Sequence, residues 1–155
     1  MEESATVRTI RRGLLLILVL GLAGTAAELL LLKHTEDFWQ ILPLALIGIS
    51  LPVLLWHAAL PGRASLRVFQ ALMGIFVLTG LAGTLLHYRG NVEWELERMP
   101  GIGGFELVRS ALMGATPALA PGTMVLLGLV GLLYTFRHPG LQRPGADSSS
   151  TGLDP

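Results

Sequence analysis

The chain has 155 residues, 52% of them hydrophobic and only 14% charged, where soluble globular chains carry roughly 25% charged residues. Basic and acidic residues balance at 11 each, which excludes the global basic field of a nucleic-acid binder. The absence of cysteine excludes a disulfide framework, a thiolate zinc site, covalent c-type haem attachment, a cysteine nucleophile and a lipidated cysteine anchor.

Such a composition, with a mean hydropathy of +0.61, is that of an integral membrane protein. Residues 1–12 form a short polar segment carrying Arg8, Arg11 and Arg12. The first apolar stretch, 13–32, is interrupted only by Glu28; the stretches 41–60 and 68–86 carry no formal charge, and a fourth covers about 115–136. Each is near the ~20 residues that cross a ~30 Å hydrocarbon core. Continuous runs without period-two alternation exclude a membrane barrel. The expected fold of residues 13–136 is therefore all-α, a four-helix transmembrane bundle. A cleaved signal peptide is the alternative for the first stretch, because Thr25-Ala26-Ala27 offers small residues. The apolar run continues through Leu29, Leu30, Leu31 and Leu32, longer than a signal sequence requires, so retention is expected.

The loop 87–110 is the only sizeable piece outside the spans. Val92, Trp94 and Leu96 alternate with Glu93, Glu95 and Glu97, which predicts a short amphipathic strand, with a short interfacial helix as the alternative. Pro100-Gly101 and Gly103-Gly104 then force turns. Pro117 and Pro121, with Gly114 and Gly122, should bend or unwind the start of the fourth span. Residues 137–155, rich in proline, glycine and serine, should form a disordered tail.

Basic residues near span ends set orientation. The N-terminal segment, the 61–67 loop and the tail share one side with Arg8, Arg11, Arg12, Arg63, Arg67, Arg137 and Arg143. Lys33, Arg89, Arg98 and Arg109 lie opposite, together with most of the carboxylates. Both termini are thus expected in the cytoplasm. His57 and His138, at that side, should snorkel to the interface.

An internal repeat is visible. Gly21-Leu22-Ala23-Gly24-Thr25 recurs as Gly80-Leu81-Ala82-Gly83-Thr84 at an offset of 59, and the end of the second span resembles that of the fourth at an offset of 78. That pattern suggests two parallel-repeat helical hairpins. Gly21, Gly24, Gly80 and Gly83 would let the first and third helices cross closely, since helices in lipid associate by packing.

The repeat superposes Glu28 on His87 and His34 on Glu93. A carboxylate inside a span is expensive, on the order of 2.5–3.5 kcal/mol at the helix centre and less toward the interface. Glu28, His34, His87 and Glu93 are therefore candidates for an outward-facing polar cluster. It could be a structural carboxylate–imidazole pair, a divalent-metal site or a proton relay. No P-loop, GxSxG, HExxH or dinucleotide fingerprint is present, and the serines lack a triad context, so an enzyme is not expected.

Residues 28–40 (with Glu28, His34, Asp37 and Trp39), His87 to Asn91, 115–124 and 134–139 together resemble an uncharacterised group of small bacterial four-helix integral membrane proteins. The resemblance supports membrane placement, draws attention to the outer loops and carries over no activity; the expected location is the bacterial inner membrane. Ten arginines against one lysine fit a GC-rich bacterial genome. The expected function is a non-enzymatic accessory or scaffold subunit that contacts lipid and docks a membrane or periplasmic protein through its outer loops. The alternative is a protein binding a metal, lipid or quinone at the outer Glu/His cluster, with or without transport.

Overall fold

The computed structural model describes residues 4–33, 35–114, 116–117 and 119–141. Five α-helices follow in chain order: α1 (Ala5–Leu31), α2 (Phe38–Ala59), α3 (Arg63–Arg98), α4 (Gly104–Leu112) and α5 (Gly122–Thr135), and a 3-10 turn at Pro139–Leu141 ends the described chain. Among the described residues there is no strand. Three helices, α1, α2 and α3, are long and apolar enough to cross a membrane.

Helix starts follow local chemistry. The Ser4 hydroxyl accepts from the Val7 amide at 3.3 Å, so α1 begins eight residues before the expected span. Asp37 caps α2 by accepting from the Gln40 amide at 2.9 Å. The three residues between α2 and α3 leave no slack, and the two helices pack side by side.

α3 is the largest departure from expectation. Its 36 residues would extend about 54 Å at 1.5 Å per residue, well past the uncharged stretch. The strand expected at 92–97 is instead its last turns. Extending an existing helix needs no new nucleus, whereas a single short strand would have no partner. The polar face of the extension turns inward: Asn91 and Glu95, four residues apart, are buried, while Trp94 is exposed. The turn expected at 100–104 is present, with Gly101 and Gly104 at positive φ, and α4 then folds back on α3.

α5 has 14 residues, about 21 Å of helix, where the sequence suggests a span over 115–136. Its start is unwound, as the prolines predict, with turns at 119–121. α5 packs along α3 for its whole length and against α1 on its other side. The α3–α5 seam is a ladder of large groups set into glycines. A Cβ on Gly80 would lie 2.7 Å from the Val125 amide nitrogen, and one on Gly128 the same distance from the Met73 carbonyl oxygen. Gly83 faces Pro121 and Gly131 receives the Met73 side chain. Leu18, Leu22, Phe69, Met73, Phe76, Met124 and Leu127 fill the core on either side.

The expected crossing of the first and third helices at their paired glycines is not formed. Gly21 receives Leu127 of α5, and Gly24 has nothing within 4 Å of a Cβ position. α5 occupies the place expected of the partner helix. Small residues mark where a helix can be approached closely; they do not say by which neighbour.

The tail is ordered as far as Leu141, with Gly140 against Leu66 and Leu141 packed on the core. The remainder of the expected disordered tail lies outside the described residues.

Replacing Gly128 with Ala should lower stability in detergent by about 1–3 kcal/mol through overpacking against backbone. Gly24→Ala, in open space, should leave it unchanged or slightly raised, because alanine is the better helix former. Thermal unfolding of the two variants side by side measures the contrast.

Candidate functional site

At the end of the molecule holding the α1–α2 connection, the described members of the expected Glu/His cluster, Glu28, His87 and Glu93, are not joined to one another by hydrogen bonds or ion pairs. Glu28 is exposed on the last turn of α1 and makes no hydrogen bond or ion pair with His87. His87, half-buried, directs Nδ1 at the Pro117 carbonyl oxygen, 3.1 Å away. Glu93 is exposed and His34 lies outside the described residues. Among the described residues no group of three or more metal-ligating side chains comes together. The pairing read from the repeat needs α1 and α3 as close neighbours, whereas each of them packs chiefly against α5 or α2.

The same end has a polar site that the sequence did not single out. Asn91, 2% exposed, donates from Nδ2 to the carbonyls of Ala111 (2.8 Å) and Thr116 (2.6 Å) and accepts at Oδ1 from the Thr116 amide (3.2 Å). Together with His87 it engages the carbonyls of residues 116 and 117 in the non-helical segment before α5, the second of which also accepts from the Ala120 amide at 3.2 Å. Gly114 permits the close approach, since a Cβ there would meet Asn91 Cγ at 2.7 Å. One turn on, buried Glu95 pairs with Arg98 at 2.8 Å. α3, α4 and the α4–α5 connection are thereby fixed to one another.

The opposite end joins four helices through buried polar side chains. His57, near the end of α2, is 8% exposed rather than snorkelling. Its Nδ1 lies 3.1 Å from Ser65 Oγ at the start of α3, and its Nε2 lies 2.9 Å from the Tyr134 hydroxyl near the end of α5. Ser65 Oγ also lies 3.0 Å from the Gly62 carbonyl oxygen. A neutral ring protonated at Nδ1 satisfies the whole chain: Tyr134 donates to Nε2, Nδ1 donates to Ser65, and Ser65 donates to Gly62. His138 stacks near both rings, at 6.0 Å from His57 and 5.6 Å from Tyr134.

Arg11 completes this end. Its guanidinium, buried, donates to the carbonyls of Tyr134, Phe136 (2.9 Å) and Arg137 (3.1 Å). Tyr134 and the C-cap Phe136 lie at the end of α5, where the carbonyls carry the negative end of its dipole, and Arg137 follows directly. α1 thus supplies a cationic cap to α5 from more than a hundred residues away. Gln70 adds a bond from Nε2 to Thr135 Oγ1 at 3.1 Å. Ser65 is buried, with its hydroxyl donating to the Gly62 carbonyl.

Neither end was fully legible. Asn91 had one available signal, an amide within an otherwise helix-forming extension of α3, and His57 had one in Ser65, eight residues on. No protein-family model, curated protein or solved structure matches the chain.

Arg11→Gln should destabilise the protein by roughly 2–3 kcal/mol, as expected for a lost charged donor set that leaves buried carbonyls bare. Tyr134→Phe, which removes one neutral partner of His57, should cost about 1 kcal/mol. Thermal unfolding in detergent reads both, and the order of the two effects is the check.

Proposed function

We propose that this is a multi-pass inner-membrane protein of four crossing helices that serves as a non-enzymatic scaffold subunit, docking a protein partner through the hairpin of α3 and α4. One observation carries the reading. α3 runs on for 12 residues past its uncharged stretch and is braced by α4 and by buried Asn91, yet this rigid projection leaves large apolar side chains uncovered. Trp94 is 56% exposed, Phe105 81% and Met113 72%. Apolar groups held on a rigid, charged projection outside the hydrocarbon layer mark a contact surface rather than a lipid-facing one.

Several features support α5 as a fourth crossing despite its length. Irregular backbone at membrane depth is tolerated where protein satisfies it, and His87 and Asn91 do so for the unwound start. Arg11 does so at the far end. The sides follow from the basic residues that the fold gathers at the starts of α1 and α3 and the end of α5, which favour a cytoplasmic location for both termini. Nothing in the buried polar network offers a reacting group to a substrate, which favours a structural role.

Two measurements test this reading. Cysteine introduced at Gly90 should react in intact cells with a membrane-impermeant thiol reagent, and cysteine at Gly62 should not; the reverse pattern would overturn the orientation. The chain has no cysteine of its own to interfere. Purification from native membranes should retain a stoichiometric protein partner that Trp94→Glu and Phe105→Glu each release, while both variants keep wild-type thermal stability. A partner retained by both variants, or a wild-type preparation holding only a metal or chromophore, would count against the scaffold.

A further inference from the structure

Among the described residues, the end of the molecule formed by the start of α1, the end of α2, the start of α3 and the end of α5 carries formal charge of one sign. It carries Arg8, Arg11, Arg12, Arg63, Arg67 and Arg137. Among the described residues it holds no carboxylate: Glu28, Glu36, Asp37, Glu93, Glu95, Glu97 and Glu106 all lie toward the other end. Two of the arginines have evident roles within the chain. Arg11 caps α5, and Arg137 stacks its guanidinium 5.9 Å over the Phe136 ring.

Arg63, the first residue of α3, is different. Its Nε is buried and has no hydrogen-bond partner. A buried guanidinium N–H without an acceptor is rare and calls for one. No described carboxylate at this end can provide it. Arg67, one turn further along, shares a face of α3 with Arg63 and is exposed. It also immediately precedes the uncharged stretch 68–86, which puts its guanidinium at headgroup depth. Below Arg67, at helical spacing on the same face, run Ala71, Ile75 and Leu78, all exposed.

We propose that Arg63 and Arg67 bind the headgroup phosphate of an anionic phospholipid whose acyl chain lies along Ala71, Ile75 and Leu78. A phosphodiester supplies the acceptor oxygens that a guanidinium engages bidentately. The first-turn amides of α3 and its dipole favour the same charge. The apolar lane directly beneath the pair selects a lipid over free phosphate. Surrounding arginines disfavour a zwitterionic headgroup, whose ammonium they would repel, and so favour a net-negative one.

The test uses the full chain in a neutral detergent, titrated in native mass spectrometry with dioleoyl phosphatidylglycerol, dioleoyl phosphatidylcholine or inorganic phosphate. Phosphatidylglycerol should bind at least about tenfold more tightly than phosphatidylcholine, and inorganic phosphate should neither bind measurably nor compete at millimolar concentration. Each basic residue near an anionic lipid surface strengthens association about fivefold, so Arg67→Gln should weaken binding about fivefold and the Arg63→Gln/Arg67→Gln pair about 30-fold. Arg89→Gln, at the opposite end, should leave it unchanged. Arg67 is exposed, so the single variant should keep wild-type helicity and thermal stability. Equal affinity for the two lipids, competition by inorganic phosphate, or undiminished binding by Arg67→Gln would each overturn the proposal.

Discussion

Close backbone packing between α3 and α5 is the constraint on which the rest of the structure depends. Helices in lipid gain little from excluding apolar surface, because the surrounding acyl chains are as apolar as leucine. Association must come from contact at short range. The seam provides it by setting Val125 into Gly80, Val77 and Met73 against Gly128, and Met73 into Gly131. Leu127, on the other side of α5, fills the space over Gly21, so the same short helix brings α1 into the assembly. α2 joins through α3.

A helix of 14 residues packed in this way creates a second requirement at its two ends, where the helical ladder stops. Unpaired backbone groups there must find partners in the protein. His87 and Asn91 reach from α3 to the carbonyls before α5, and Arg11 reaches from α1 to those after it. Two of the buried polar residues of this apolar chain, Asn91 and Arg11, are thus committed to backbone groups flanking one helix. His57 is held instead by the hydroxyls of Ser65 and Tyr134. The fold also leaves distinctive surfaces at the two extremities: an apolar projection at one and, among the described residues, arginines without a carboxylate at the other.

Much of the helical plan was legible in the sequence. Long charge-free runs with few breakers specify helices wherever they occur, and α1, α2 and the apolar part of α3 fall where such runs lie. The unwound start of α5 was equally readable from Pro117 and Pro121. The extension of α3 was not, because the alternation of Val92, Trp94 and Leu96 is a local pattern overridden by continuity with a preceding helix. The pairing of helices was also hidden. Gly80 and Gly83 signal a close approach, but Gly128 and Gly131, which carry no repeat signature, complete the seam. Glu28 and His87 were read as partners because the offset of 59 superposes them. Equivalent positions need not be adjacent, and here His87 faces the Pro117 carbonyl while Glu28 is exposed. His57 and Arg11 look like interface residues by position, and only the tertiary arrangement reveals buried carbonyls and hydroxyls for them to meet.

The arrangement around α5 can be probed directly by cysteine crosslinking in membranes, on a chain that has no cysteine. Disulfides form when Cα atoms lie about 4.4–6.8 Å apart. With Met73 and Gly131 both replaced by cysteine, mild oxidation should give an intramolecular disulfide in high yield, seen after cleavage between them as two fragments held together until reduction. The Gly24/Gly83 cysteine pair, across the crossing that the repeat would suggest, should give none. A disulfide at 24/83 with none at 73/131 would contradict the central place of the α3–α5 seam.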